Sequence, residues 1–386
     1  MSALRPSPPS DITVPQPGST TMRAVLSMSL RKLFEDLKRL RAPQRASAAA
    51  RSDYRILREV LAGFLPGKPG AIASLLRRPV VSAPLRCLRD GRGDPDALIA
   101  ELVGQSLFEL ALTGALDAPV TMRAPPPMLL APHRDQVVEP GEGELTFAPR
   151  EVRLGGVPVA PAQGHTWPVG TEAVLTTVDN NPLRMVEAHP DKEGNPIDLG
   201  GRSPQEWVEA VSRALFLIGE HLPDFGRELD LVLRQLVPVG YDEEAHRSAS
   251  YREAIGTVYL TLHPNPLTMA EALIHEVSHN KLNALIELDP LLHDGLVAAF
   301  DSPVRPDKRP LLGVLLAVHA FLPIERFYER LLDAESSVAP RAQLERRLTE
   351  VRAKNREGAA VLLAHARPTE VGRGVLDEIA RLVHVP

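Results

Sequence analysis

One stretch constrains this chain more than any other: Ala270 to Leu288, AEALIHEVSHNKLNALIEL. Leu273, Ile274, Val277, Leu282, Leu285, Ile286 and Leu288 recur at helical spacing with no Gly or Pro between them, which predicts a helix. At its centre His275, Glu276 and His279 form an HExxH motif. On a helix the two histidines lie one turn apart on the same side and can grip one metal ion together. Glu276 is rotated about 100° from His275, close enough to act on whatever occupies an open metal position. The same pattern also arises by chance on amphipathic helices, where the histidines are merely polar positions, so the surroundings carry the argument. Gly256 to Leu262 (GTVYLTL) reads as a strand, and Pro264-Asn265-Pro266 as the turn that delivers it to the helix.

Composition narrows what such a site can be. The single cysteine, Cys87, excludes an internal disulfide and a multi-Cys zinc site, and makes a reducing cytoplasm the expected setting. A net charge of −5 over 386 residues argues against a broad nucleic-acid surface. No signal-peptide pattern opens the chain, and the longest apolar candidate, Leu311 to Leu322, is short and contains His319, so no membrane span is expected. Oligomeric state is not legible.

The expected architecture is α+β, with helical N- and C-terminal parts around a β-containing middle and a zincin-like strand plus HExxH helix. Residues 1–21, rich in Pro and Ser, read as a disordered tail. Residues 22–118 read as helical, with helices over Arg23–Leu40, Tyr54–Leu65, Ala71–Arg78 and from Asp94-Pro95 to about Leu116. Residues 119–202 are rich in turns and short β-type runs, among them Glu144–Phe147, Glu151–Leu154 and Thr171–Val178, followed by a long polar loop. His165 and His189 fall there and read as solvated. Residues 203–335 form the metal-binding core, opened by the capping box Ser203-Pro204-Gln205-Glu206. Glu228 to Val239 is ambiguous between helix and strand. Residues 336–386 finish as two amphipathic helices.

Two histidines need a third ligand. The metzincin pattern fails, because leucines stand at 282 and 285. A gluzincin-type carboxylate would come from Glu325 or Glu329. His293 in DPLLHDG, with Asp294 beside it, and His319 in LLGVLLAVHAFLPI are the other candidates. His319 is preferred: its helix is apolar enough to be buried, and a buried imidazole needs a partner for each nitrogen. Arg305 and Arg309 flank a Pro-stiffened segment entering that helix and suit a bidentate grip on a carboxylate.

The runs AEALIHEVSHNKLNALIELDPL, SPVRPDKRPLLGVLLAVHAF and VDNNPLRMVEAHPD together resemble the HExxH peptide-modification family of ribosomal peptide natural product pathways. The likeness covers roughly residues 170 to 335. It implies an Fe(II) centre held by His275, His279 and His319, with 2-oxoglutarate as co-substrate and Arg305 or Arg309 as partners of its distal carboxylate. It implies β-hydroxylation of a side chain in a precursor peptide, with Glu276 orienting a ligand rather than serving as a hydrolytic base. Family members often carry Trp where Val304 stands, and some place a histidine nearer Leu316, which leaves the third ligand open. An extended peptide is expected to pair with the strand Thr257 to Leu262. The competing reading is a zinc metallopeptidase, with Zn(II) at the same histidines and Glu276 as general base. A third is a non-catalytic scaffold that keeps the helix for packing.

Overall fold

The computed structural model describes residues 6–64, 67–186, 194–296, 300–302 and 305–383; of 301, 302 and 305–307 it describes the backbone alone. His189 lies outside the described residues. The fold is mixed α and β, built on two apolar cores. The first core runs from Leu33 to Val178. It joins helices α1 (Thr21–Arg39), α2 (Ala48–Phe64), α3 (Pro69–Leu76), α4 (Pro79–Asp90) and α5 (Pro95–Leu112) to short strands β1 (Val120–Met122), β2 (Leu129–Ala131), β3 (Gln136–Val138), β4 (Leu145–Ala148), β5 (Glu151–Leu154) and β6 (Val157–Pro158). The β-rich stretch beginning at residue 119 is therefore not a unit of its own. Its first five strands contribute to the core of the N-terminal helices, β6 pairs with β5 at the edge, and its last two belong to the second core.

Helix α4 was not expected from the sequence, because Pro84 sits inside it. Proline cannot donate the bond that residue 80 would accept. Here the Asn180 amide supplies it, donating to the Val80 carbonyl at 2.9 Å. Asn180 comes from the polar stretch after the middle strands, so a loop side chain completes a distant helix.

The second core carries the motif. Its sheet has the order β10-β11-β9-β8-β7, from β7 (Thr166–Pro168), β8 (Val174–Thr176), β9 (Gln235–Tyr241), β10 (Ser248–Ala249) and β11 (Thr257–Leu262). Between β8 and β9 come α6 (Pro204–His221) and α7 (Pro223–Val232), so the ambiguous segment 228–239 is a helix end followed by a strand. The capping box is present in full: the Ser203 side chain accepts from the Glu206 N–H, and the Glu206 carboxylate accepts from the Ser203 N–H. Strand β11 turns into α8 (Pro266–Ile286), which Asn265 caps by accepting from the Leu267 N–H at 2.9 Å. Asn280 then ties the helix back to the strand, accepting from the Gly256 N–H at 2.7 Å. A hairpin of β12 (Phe300–Ser302) and β13 (Arg305–Arg309) replaces the expected turn before α9 (Leu311–Asp333). Helices α10 (Arg341–His365) and α11 (Glu370–Val383) close the core. Helix α9 is long and apolar enough to cross a bilayer by composition, but it is mostly buried here against α8 and α10.

Two expectations are corrected. The segment from residue 6 to residue 20 is a packed strap rather than a disordered tail: Ile12 and Thr13 are both 0% exposed. Its Pro and Ser content misled, because the backbone N–H groups of Thr13 and Val14 are taken up by the buried Glu378 carboxylate, at 3.0 Å to Oε1 in each case. Strand β11 is also unavailable for peptide pairing, since β9 and β10 flank it on both sides.

Candidate metal centre and its cleft

Helix α8 places His275 and His279 as the spacing predicts. Their Nε2 atoms face each other 2.9 Å apart, with the rings nearly perpendicular. Burial, and then the neighbouring His275, pushes His279 down to about 4, so its ring is neutral at physiological pH. With the protons on Nδ1, the two Nε2 lone pairs would supply two of the ligands that a metal site needs. The Phe321 ring packs edge-on against His275, its centroid 5.1 Å away, and fixes that imidazole from the α9 side.

Glu276 points the other way around the helix, toward the β10 arm. Its Oε1 accepts from the Ser248 hydroxyl and its Oε2 from the Ser250 hydroxyl, both at 2.7 Å. Burial pushes this carboxyl up, but the adjacent His275 and His279 and the two hydroxyls outweigh it and hold the pKa below the ordinary carboxylate value. Ser248 and Ser250 alternate along an extended segment, so they share a face. That period-two pattern was the sequence signal for a second wall of the site, and it was not read as one.

A cleft of about 610 Å³ opens beside His275, between α8, α9, α10 and the β10 arm. Glu271, one helical turn before His275, forms part of its floor. Its carboxylate accepts from the Arg347 Nε at 3.0 Å, the Arg347 Nη2 at 2.6 Å and the Tyr328 hydroxyl at 2.5 Å. This triad binds α8, α9 and α10 around one wall of the cleft, and none of its three members stood out in the sequence.

The remaining candidates fall into place as follows. His319 is buried behind α8, its Nδ1 sharing a hydrogen bond with the Thr13 hydroxyl at 3.1 Å. Burial, then the charge of Lys281 and the neighbouring His279 ring, push its pKa well down, so it is neutral. Among the described residues its Nε2 has no hydrogen-bond partner, nor has the Nδ1 of His279. Among the described residues no third His, Cys, Asp or Glu joins the pair in a metal-holding group. His293 lies elsewhere, its backbone N–H donating to the Arg367 carbonyl at 2.9 Å, and Asp294 accepts from the Arg367 N–H at 3.2 Å. Glu325 and Glu329 are engaged by Arg352 of α10, at 2.9 and 2.6 Å. Arg309 packs over Gly313 and does not line the cleft. The Arg305 side chain lies outside the described residues.

No protein-family model matches this chain, and no curated protein matches it.

Proposed function

We propose that the chain is an Fe(II)- and 2-oxoglutarate-dependent hydroxylase acting on a side-chain β-carbon of a ribosomally made peptide. The observation that carries this reading is the environment of Glu276. A general base in a metallopeptidase must keep a carboxylate oxygen available to a metal-bound water. Here each oxygen already accepts from a serine hydroxyl, which favours a role for Glu276 in fixing helix α8 and the His275–His279 pair over one as general base.

His275 and His279 would hold the ion, and His319 remains the proposed third ligand on the strength of the family resemblance. When bound, iron with 2-oxoglutarate and O2 supplies an oxidant that inserts one oxygen atom into a C–H bond while the other leaves in succinate, with release of CO2. The chain's own residues then have three tasks. Phe321 and the apolar face of α9 exclude water from the side of His275. The Glu271–Arg347–Tyr328 triad holds three helices at a fixed distance around the cleft. Arg305 would bind the distal carboxylate of the co-substrate, as the family resemblance implies, since Arg309 packs over Gly313 outside the cleft. The peptide enters from the cleft side, since β11 is enclosed. The strand β11 followed by the HExxH helix is what the zinc-peptidase reading retains in its favour, as both belong to a zincin-like arrangement.

Anaerobic reconstitution with Fe(II), followed by an assay of succinate with and without a candidate precursor peptide, separates the readings. Peptide-stimulated succinate and a gain of about 16 Da, one oxygen atom, are expected. Peptide cleavage with Zn(II) and no succinate would transfer the assignment to the peptidase.

A further inference from the structure

We infer that Arg346 binds a carboxylate carried by the peptide, which makes acidic peptides the substrate class of the cleft. The inference rests on the reading of the cleft as a peptide site beside a metal. Gln343, Arg346, Arg347 and Glu350 follow one another at i, i+3, i+4 and i+7, so they share one side of α10. All four line the cleft that opens beside His275, and that side of α10 is one of its walls. Arg347 reaches Glu271, which precedes His275 by one helical turn of about 5.4 Å. Its neighbour Arg346 therefore stands within a few residues of extended peptide from the histidine pair.

The distribution of charge sets Arg346 apart. Both carboxylates that line the cleft are committed: Glu271 accepts from Arg347 and Tyr328, and Glu350 accepts from the Arg347 Nη1 at 3.2 Å. Glu345, beside Arg346 in the chain, accepts from the Arg341 Nε at 2.8 Å. Arg346 is exposed, and among the described residues it has neither an ion pair nor a side-chain hydrogen bond. The side-chain amide of Gln343, one turn earlier, has no partner among the described residues either. A guanidinium presents its N–H groups in a rigid planar fork that matches a carboxylate. On an open surface such a pair adds little. In a cleft that a peptide fills, water no longer competes and the charge-assisted bond strengthens. Two sources carry the group, an acidic side chain near the modified residue and the C-terminus of a short peptide. The contact would contribute to binding and to the choice of substrate, not to the oxidative step.

The test uses the full chain loaded with Co(II), whose visible absorption reports metal ligation. The probes are alanine pentapeptides whose central residue is an aspartate β-hydroxamate, which puts a side chain on the metal and lets the backbone run either way along the cleft. One probe is neutral, acetylated and amidated at its ends. Two more carry a glutamate at the first or the last position, and a fourth ends in a free carboxylate. A charge-assisted bond predicts that one acidic probe binds about tenfold tighter than the neutral one, and which one it is names the source of the carboxylate. Arg346→Gln should abolish that preference while acetohydroxamate, which meets only the metal, binds as it does to the parent chain. Arg346→Lys, which keeps the charge and loses the fork, should retain part of the preference. Equal binding of all four probes by the parent chain, or a preference that survives Arg346→Gln, would overturn the inference while leaving the metal site standing. Weaker binding of N-oxalylglycine, an analogue of 2-oxoglutarate, by Arg346→Gln would assign the guanidinium to the co-substrate and overturn it too. No cobalt uptake by the parent chain would remove the metal reading, and this inference with it.

Discussion

Replacing Glu287 with Gln measures how tightly the N-terminal helical unit is bound to helix α8. Glu287 stands immediately after α8, with its side chain 1% exposed. Its Oε2 accepts from the Arg86 Nε at 3.0 Å and its Oε1 from the Arg89 Nη2 at 2.8 Å, so two arginines of α4 converge on one carboxylate. Burial pushes this carboxyl up, but the Arg86 and Arg89 guanidiniums outweigh it and bring it down to about 2, against 4.5 for the ordinary group. At about 1.36 kcal/mol per decade, that difference corresponds to about 3 kcal/mol of folding free energy at neutral pH. Removing one partner of a buried pair costs a similar amount, about 3–5 kcal/mol, because Arg86 is left buried and uncompensated. For a chain of this length unfolding in one step, 3 kcal/mol lowers Tm by about 4 °C. Urea titration of both proteins at a series of pH values is the assay. A depressed pKa gives stability that is complete above the unfolded value near 4.5 and lost as pH falls toward 2. The gap between parent and E287Q should therefore be full at pH 7 and only about 1.4 kcal/mol at pH 3. A gap below 1 kcal/mol at pH 7, or one that does not narrow in acid, would refute the reasoning.

Three further outcomes are expected. Lys281 is 0% exposed, its ammonium 2.5 Å from Glu228 and 4.8 Å from the centre of the Phe225 ring; K281M should cost about 3–5 kcal/mol in urea titration, and K281M/E228L should recover most of it. At Gly372 an added Cβ would lie 1.9 Å from the Leu291 carbonyl oxygen, so G372A should lose about 3 kcal/mol, read as a lowered Tm. Releasing Glu276 by S248A/S250A should weaken Co(II) affinity about tenfold or more in a chelator competition, with each single variant losing less.

What the sequence disclosed and what it hid divide along a physical line. Local rules were readable: the period of α8, the Ser203 capping box, and the strand 257–262 all follow from spacing within a few residues. Features that depend on a distant partner were not. Helix α4 survives its internal proline through Asn180, almost a hundred residues on, and the strap around Thr13 is ordered by a carboxylate near the far end of the chain. The site shows the same division. His275 and His279 announce themselves through a motif, whereas Ser248, Ser250, Tyr328 and Arg347 acquire meaning only when other elements are brought against α8. His319 was correctly expected to be buried, but a partner of its ring, the Thr13 hydroxyl, belongs to a segment set aside as a tail.

The bonds from the strap to Glu378 span 365 and 364 residues, which has a consequence for how the protein is made. A ribosome emits Thr13 long before Glu378. The core between Leu33 and Val178 has all its members in hand two hundred residues before Glu378 is made. The core around the HExxH helix does not, because its members run from Ile12 to Ile379. Folding of that core is thereby deferred until α11 has been made. Until then the strap lacks the carboxylate that takes up its backbone N–H groups. A chain cut short before α11 would carry the histidine pair in an unfinished core.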